Sequence, residues 1–178
     1  MSLSKNRNHF ELFQLPVEYR VDVSRLDQRF RELQACVHPD KVAHQGETEK
    51  RLALQWSTRV NEAFQILRNP LDRARYMVSL QGIDCDEESR TTMPPEFLLE
   101  QIEWRSELQE ARTLRDMDRM GQLEHRLGQE MKILRDLLSS LLDGTPNYPA
   151  AAEVIRQLAF LDKLDRDMNQ ALAELEDD

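Results

Sequence analysis

The run His38-Pro39-Asp40-Lys41 sets an imidazole, a carboxylate and an ammonium group side by side. Three chemistries suit such a set. A hydrolase would use His38 and Asp40 as an acid–base pair, but it would also need a nucleophile or substrate-binding groups converging in a pocket. Nothing else in the sequence supplies these, and a loop between two small helices offers no deep cleft. A metal site would take His44 as a second ligand, yet no cluster of carboxylates or thiols completes the set. The third chemistry is recognition. Pro39 fixes the backbone, and His38 and Asp40 present polar and ionic contacts to another protein. A given tripeptide arises by chance in a chain of this length about once in fifty, so its setting has to decide.

That setting is helical. A short helix is expected near His9–Leu15, before Pro16. A second starts after Asp22 or Ser24, both good caps. Its apolar residues Leu26, Phe30, Leu33 and Val37 fall at spacings of four, three and four. Pro39 disfavours helical geometry in the residue before it, which stops this helix at His38. After a polar loop a third helix runs to Arg68, with Ala53, Trp56, Val60, Ala63, Phe64 and Leu67 on one side. Asn69-Pro70 ends it. A fourth fits Leu71–Leu80, with Gly82 just past its end. Residues 83–95 are charged, rich in Ser and Thr, and close on Pro94-Pro95, which marks a linker.

Three longer helices follow, at about Glu96–Arg112, Asp116–Leu142 and Ala150–Leu175. Met120, Leu127, Leu134 and Leu141 repeat every seven residues in the middle one, and Met131 and Leu138 fill the other seam positions. The last carries Ile155, Leu158, Leu161, Leu164, Met168, Leu172 and Leu175 on one face. Short connections imply an antiparallel three-helix bundle, although the heptad also suits a dimerisation module. In the first of the three, Phe97, Trp104, Leu108 and Ala111 suit the bundle core. Leu98, Leu99 and Ile102 lie well round from them, so the helix has more apolar width than one seam uses. Such surplus marks a partner site, or else a wide stripe covered by neighbouring helices or by the N-terminal module.

The fold class is therefore all-α, in two modules at 1–82 and 96–178. Charge divides the same way. Residues 1–80 hold 13 Lys and Arg against 10 Asp and Glu, and the remainder holds 11 against 23. The acidic half would repel phosphates, which argues against nucleic acid. No apolar run reaches the length of a membrane span, and the N-terminus lacks a signal-peptide core. Cytoplasm is the expected location. Cys36 and Cys85 lie far apart without metal-ligand spacing, as thiols do in a reducing compartment. Two scattered cysteines also cannot furnish a four-ligand cluster site.

His-Pro-Asp between an amphipathic basic helix and a longer helix, with short helices on either side, resembles the loop of a J-domain. Other segments carry the resemblance further. Phe10-Glu11-Leu12-Phe13-Gln14-Leu15-Pro16, Val60-Asn61-Glu62-Ala63-Phe64, Asn69-Pro70-Leu71-Asp72-Arg73-Ala74-Arg75-Tyr76, Phe97-Leu98-Leu99-Glu100-Gln101 and Phe160-Leu161-Asp162-Lys163-Leu164 resemble the bacterial HscB co-chaperones across almost the full length. The resemblance implies a four-helix J-domain followed by a three-helix bundle, in a co-chaperone of iron–sulfur cluster assembly with no catalytic residues, metal or cofactor of its own. It implies that His38, Pro39, Asp40 and Lys41, with Arg25, Arg29 and Arg31 on the preceding helix, engage the DnaK-type ATPase HscA and stimulate it. It implies that Leu98, Leu99 and Ile102, with Glu103, Arg105 and Phe160, bind the scaffold protein IscU. Asp27 and Glu32 dilute the basic helix, Val37 stands where Tyr is common, and Ser106 stands where an acid is common. The first two departures favour a dedicated chaperone. The alternative is a J-protein that delivers another client to a general DnaK chaperone.

Overall fold

The computed structural model describes residues 7–37, 46–85 and 95–176. Among these are seven helices and no strand: α1 (His9–Leu12), α2 (Val23–Val37), α3 (Glu47–Arg68), α4 (Pro70–Ser79), α5 (Pro95–Leu114), α6 (Met117–Leu142) and α7 (Tyr148–Glu176). The chain divides into two compact units, Met1–Met77 and Val78–Asp178. His38, Pro39, Asp40, Lys41 and His44 lie outside the described residues, as does the segment 86–94.

In the first unit, α1 is one turn, shorter than the expected His9–Leu15. Asn8 and Glu11 close its start as a capping box. Its end is a Schellman turn: Leu15 N–H donates to the Phe10 carbonyl at 2.9 Å, and Gln14 takes a left-handed φ of 54°. Phe10 and Phe13 are thereby both fully buried. At α2, Asp22 is the cap, since its carboxylate accepts the Arg25 N–H at 3.1 Å. The apolar stripe of α2 packs on α3. Phe30 stacks on Phe64 with ring centroids 3.9 Å apart, and Gln34 hydrogen-bonds Asn61. Residue numbers rise along one helix as they fall along the other, so the pair is antiparallel. Leu26 and Leu67, both fully buried in this unit, contribute roughly 1.5–3 kcal/mol each by leaving water.

The α3–α4 corner is held by two residues. Asn69 ends α3 and caps α4, its Oδ1 accepting the N–H of Leu71 at 2.9 Å and of Asp72 at 3.3 Å. Arg73 is buried. Its Nη1 donates to the Leu67 carbonyl at 2.6 Å, and its guanidinium lies over the Tyr19 ring.

The second unit is a bundle. Pro95 opens α5 at the position where a missing N–H is harmless. A second Schellman turn ends it, with Arg115 at φ 53° and Asp116 N–H bonded to the Ala111 carbonyl. Asp116 then caps α6 by accepting the Arg119 N–H at 3.0 Å. Ion pairs Glu110–Arg119 and Glu107–Arg126 show α5 and α6 running antiparallel. Phe97–Phe160 and Arg112–Glu174 show α5 and α7 running parallel. Asn147 caps α7, accepting the Ala150 N–H at 3.2 Å. The helix therefore begins two residues before the expected Ala150, and Pro149 sits harmlessly in its first turn.

The seam of α6 departs from the strict heptad. Met120, Leu127, Met131, Leu134 and Leu138 are buried, but the series ends on Leu142, with Leu141 only half-buried. A straight helix drifts about 20° per heptad against a 3.5 repeat. After three heptads the next residue faces the core better. The same drift puts Ala171 in the core and leaves Leu172 at its edge. Five of the six proposed seam residues are thus used within one chain.

Candidate partner-binding sites

Of the residues expected to meet a chaperone, Arg25, Arg29 and Arg31 are described. At 100° per residue, Arg25 and Arg29 share the flank of α2 and Arg31 lies roughly 120° round from Arg25. The helix brings two of the three together. Arg29 is paired with Glu32 at 2.9 Å. Its guanidinium, helped by Gln28, holds the Glu32 carboxyl below the usual carboxylate range. Arg25 and Arg31 are exposed and make no ion pair with a described residue. The net cationic surface of α2 is therefore split between two sides, with a neutralised pair at Arg29.

The second candidate site lies on α5 and α7. Leu98, Leu99 and Ile102 are 43%, 61% and 64% exposed. The surplus apolar width read from the sequence is uncovered, not buried by α6 or α7. Wheel geometry explains why. Leu108 and Ala111 fill the seam, and the three aliphatics project away from it.

Arg105 and Phe160 extend this patch onto α7. The Arg105 guanidinium carbon stands 5.2 Å from the centre of the Phe160 ring. Phe97 meets the same ring edge-on at 5.9 Å. Phe97 and Trp104, expected in the core, are half-buried instead. Phe97 props Phe160, and Trp104 carries Arg126 at 4.9 Å over its ring. Sequence reasoning missed both roles because periodicity places a residue on a face and is silent about which neighbour crosses it. Glu103 is exposed on the side of α5 away from α7. Leu98, Leu99, Ile102, Arg105 and Phe160 thus form one surface, with Glu103 on its margin. Such a surface suits recognition of another protein through an apolar centre and a charged rim.

No group of three or more His, Cys, Asp or Glu placed to hold a metal occurs among the described residues. No helix there is long and apolar enough to cross a membrane.

A family model described as the HSCB C-terminal oligomerisation domain matches residues 93–169. A co-chaperone protein HscB homolog of Azoarcus sp. (strain BH72) is 43% identical over 176 residues, covering 99% of each chain. One from Ralstonia nicotianae is 42% identical over 174 residues, covering 98% of this chain and 99% of the relative. The chain belongs to the HscB co-chaperone family. Solved HscB structures agree in fold. The chaperone HscB from Vibrio cholerae superposes with a TM-score of 0.85 at 34% identity, over 95% of this chain and 99% of that one. The human co-chaperone HscB gives 0.88 at 28% identity, over 95% and 84%. The architecture is that of HscB: an all-helical J-domain followed by a C-terminal helical bundle.

Proposed function

We propose that this HscB co-chaperone works in iron–sulfur cluster assembly by joining two proteins. The bundle binds the scaffold IscU, and the J-domain brings the complex to the DnaK-type chaperone HscA and stimulates its ATP hydrolysis. The chain catalyses nothing itself and acts in the cytoplasm. In this reading residues 1–82 are the J-domain, 83–95 a linker and 96–178 the scaffold-binding bundle.

The observation that carries the reading is the uncovered aliphatic patch of Leu98, Leu99 and Ile102, continued by Arg105 and Phe160. Contiguous exposed apolar surface of this kind is unfavourable in water unless a partner covers it. The chaperone side rests on His38, Pro39, Asp40 and Lys41, with Arg25, Arg29 and Arg31. The Arg29–Glu32 pair leaves α2 less cationic than its arginine content implies, which favours a dedicated chaperone over a general one.

The deciding experiment is an HscA ATPase assay with this protein, with and without IscU. Stimulation by the protein, raised further by IscU, is expected. Retention of DnaK in preference to HscA in a paired pull-down would instead support the general J-protein reading. Turnover of a substrate by the protein alone would reject a purely adaptor role.

A further inference from the structure

The aliphatic patch on α5 divides two flanks of opposite charge. At 100° per residue, Ile102 lies about 40° and Leu99 about 100° round from Leu98. Arg105 lies about 20° to the other side of Leu98, toward α7. There it covers Phe160. On α7, Arg156 and Lys163 stand four residues before and three after Phe160, on the same helical face. Arg105 and Lys163 are exposed and Arg156 half-buried. None of the three forms an ion pair with a described residue.

The opposite flank of the patch is anionic. Glu103 and Glu96 lie about 140° and 160° round from Leu98, on the side of α5 where Glu107 reaches Arg126 of α6. Both are exposed and, like the three cations, unpaired among the described residues. Within a half of the chain that holds 23 acids against 11 bases, three unpaired cations gather around the half-buried Phe160 ring, with the exposed Glu153 and Asp167 bracketing them about one turn further along the same face of α7.

A protein surface that covers the patch must desolvate its centre and lie along both flanks. Like charges placed against either flank would be repelled, so the flanks select an orientation as well as a partner. We propose that the surface of IscU that docks here is bipolar, with carboxylates facing Arg105, Arg156 and Lys163 and cationic side chains facing Glu96 and Glu103 across an apolar centre. This rests on the scaffold-binding reading of the patch, and adds the electrostatic polarity that fixes how the scaffold sits.

The test uses the full chain and IscU, with association followed at low and at high salt. Two charge-reversed variants are compared, Arg156→Glu with Lys163→Glu, and Glu96→Lys with Glu103→Lys. Each should slow association about tenfold at low ionic strength, and the difference should close as salt screens the flanks. Helical content by circular dichroism should be unchanged, because these side chains lie outside the seam. Faster association of the Glu96→Lys, Glu103→Lys variant would mean an acidic partner surface on both sides and would overturn the proposal. An unchanged rate for either pair would overturn it equally. Leu98→Ala with Leu99→Ala separates the two levels. If that variant binds weakly while charge reversal has no effect, only the polarity is wrong. If it binds normally, the scaffold site itself is misplaced and the polarity falls with it.

Discussion

Phe97 of α5 meets Phe160 of α7 edge to face, with centroids 5.9 Å apart and ring planes at 82°. Because Arg105 covers the same ring, the contact fixes Phe160 as the corner between the apolar patch and its cationic flank. Edge-to-face pairs contribute roughly 0.5–1.5 kcal/mol beyond area burial. A double-mutant cycle with Phe97→Leu and Phe160→Leu in urea should therefore show coupling of about 1 kcal/mol. Strict additivity would mean the rings act independently.

The two modules should fail separately. His38→Gln should abolish stimulation of HscA ATPase and leave IscU affinity unchanged. Leu98→Ala with Leu99→Ala should weaken IscU binding at least tenfold, an estimate from losing two partner-covered aliphatic side chains. Equal loss of both activities in the His38 variant would contradict the division of labour.

Asn69 stabilises α4 through two backbone N–H groups. Asn69→Ala should lower the stability of the chain by about 1 kcal/mol, read as a lower urea midpoint. An unchanged midpoint would show that the corner is held by Arg73 alone.

Arg115 occupies left-handed geometry that costs a side-chain-bearing residue roughly 1–2 kcal/mol. Arg115→Gly removes that strain but gives the unfolded chain more freedom. A net gain of about 0.5–1 kcal/mol is expected from those opposing effects. Gly82→Ala, at φ 75°, should shift stability the other way. Thermal unfolding of the two variants checks both signs.

The His9 ring stacks on Tyr76 with centroids 4.1 Å apart, and the His9 backbone N–H donates to the Tyr76 hydroxyl at 2.9 Å. Burial pushes the imidazole pKa below 6.5, opposed by Glu62 and reinforced by Arg59. The folded state therefore holds fewer protons on His9 than the unfolded state between the lowered pKa and 6.5. His9 is neutral and accommodated above that window, and stability falls as pH drops through it. The melting temperature should decline from pH 7.5 to 5.5 less steeply in His9→Phe than in the parent. A His9 titration midpoint above 6.5 by NMR would reverse the sign.

Sequence periodicity located the longer described helices, whose burial follows a 3.6-residue stripe that is written locally, and the flanking Pro and Gly located the short α1 and α4. A cap was readable at Asp22, one of two residues offered for the start of α2, whereas Asp116 was placed inside its helix and proves to be the cap. The ends were less so. Nothing in Gln14 or Arg115 announces a left-handed residue, since glycine is the usual occupant. Leu98, Leu99 and Ile102 were legible as surplus because they fall outside any seam. The resemblance named both Arg105 and Phe160, but not their contact: the two residues of this corner lie 55 positions apart and meet only after α5 and α7 pack. The heptad in α6 misled at its last position, where the straightness of the helix decides which leucine is buried.

That corner has a thermodynamic consequence. Leu98, Ile102 and Arg105 come from one helix and Phe160 from another, so the surface exists only while the bundle is folded. Ligand that binds the folded form alone shifts the unfolding equilibrium by mass action, by about 2.7 kcal/mol when present at a hundred times its dissociation constant. The scaffold would then be a folding ligand for its own receptor. The population of intact bundles would rise and fall with the supply of cargo.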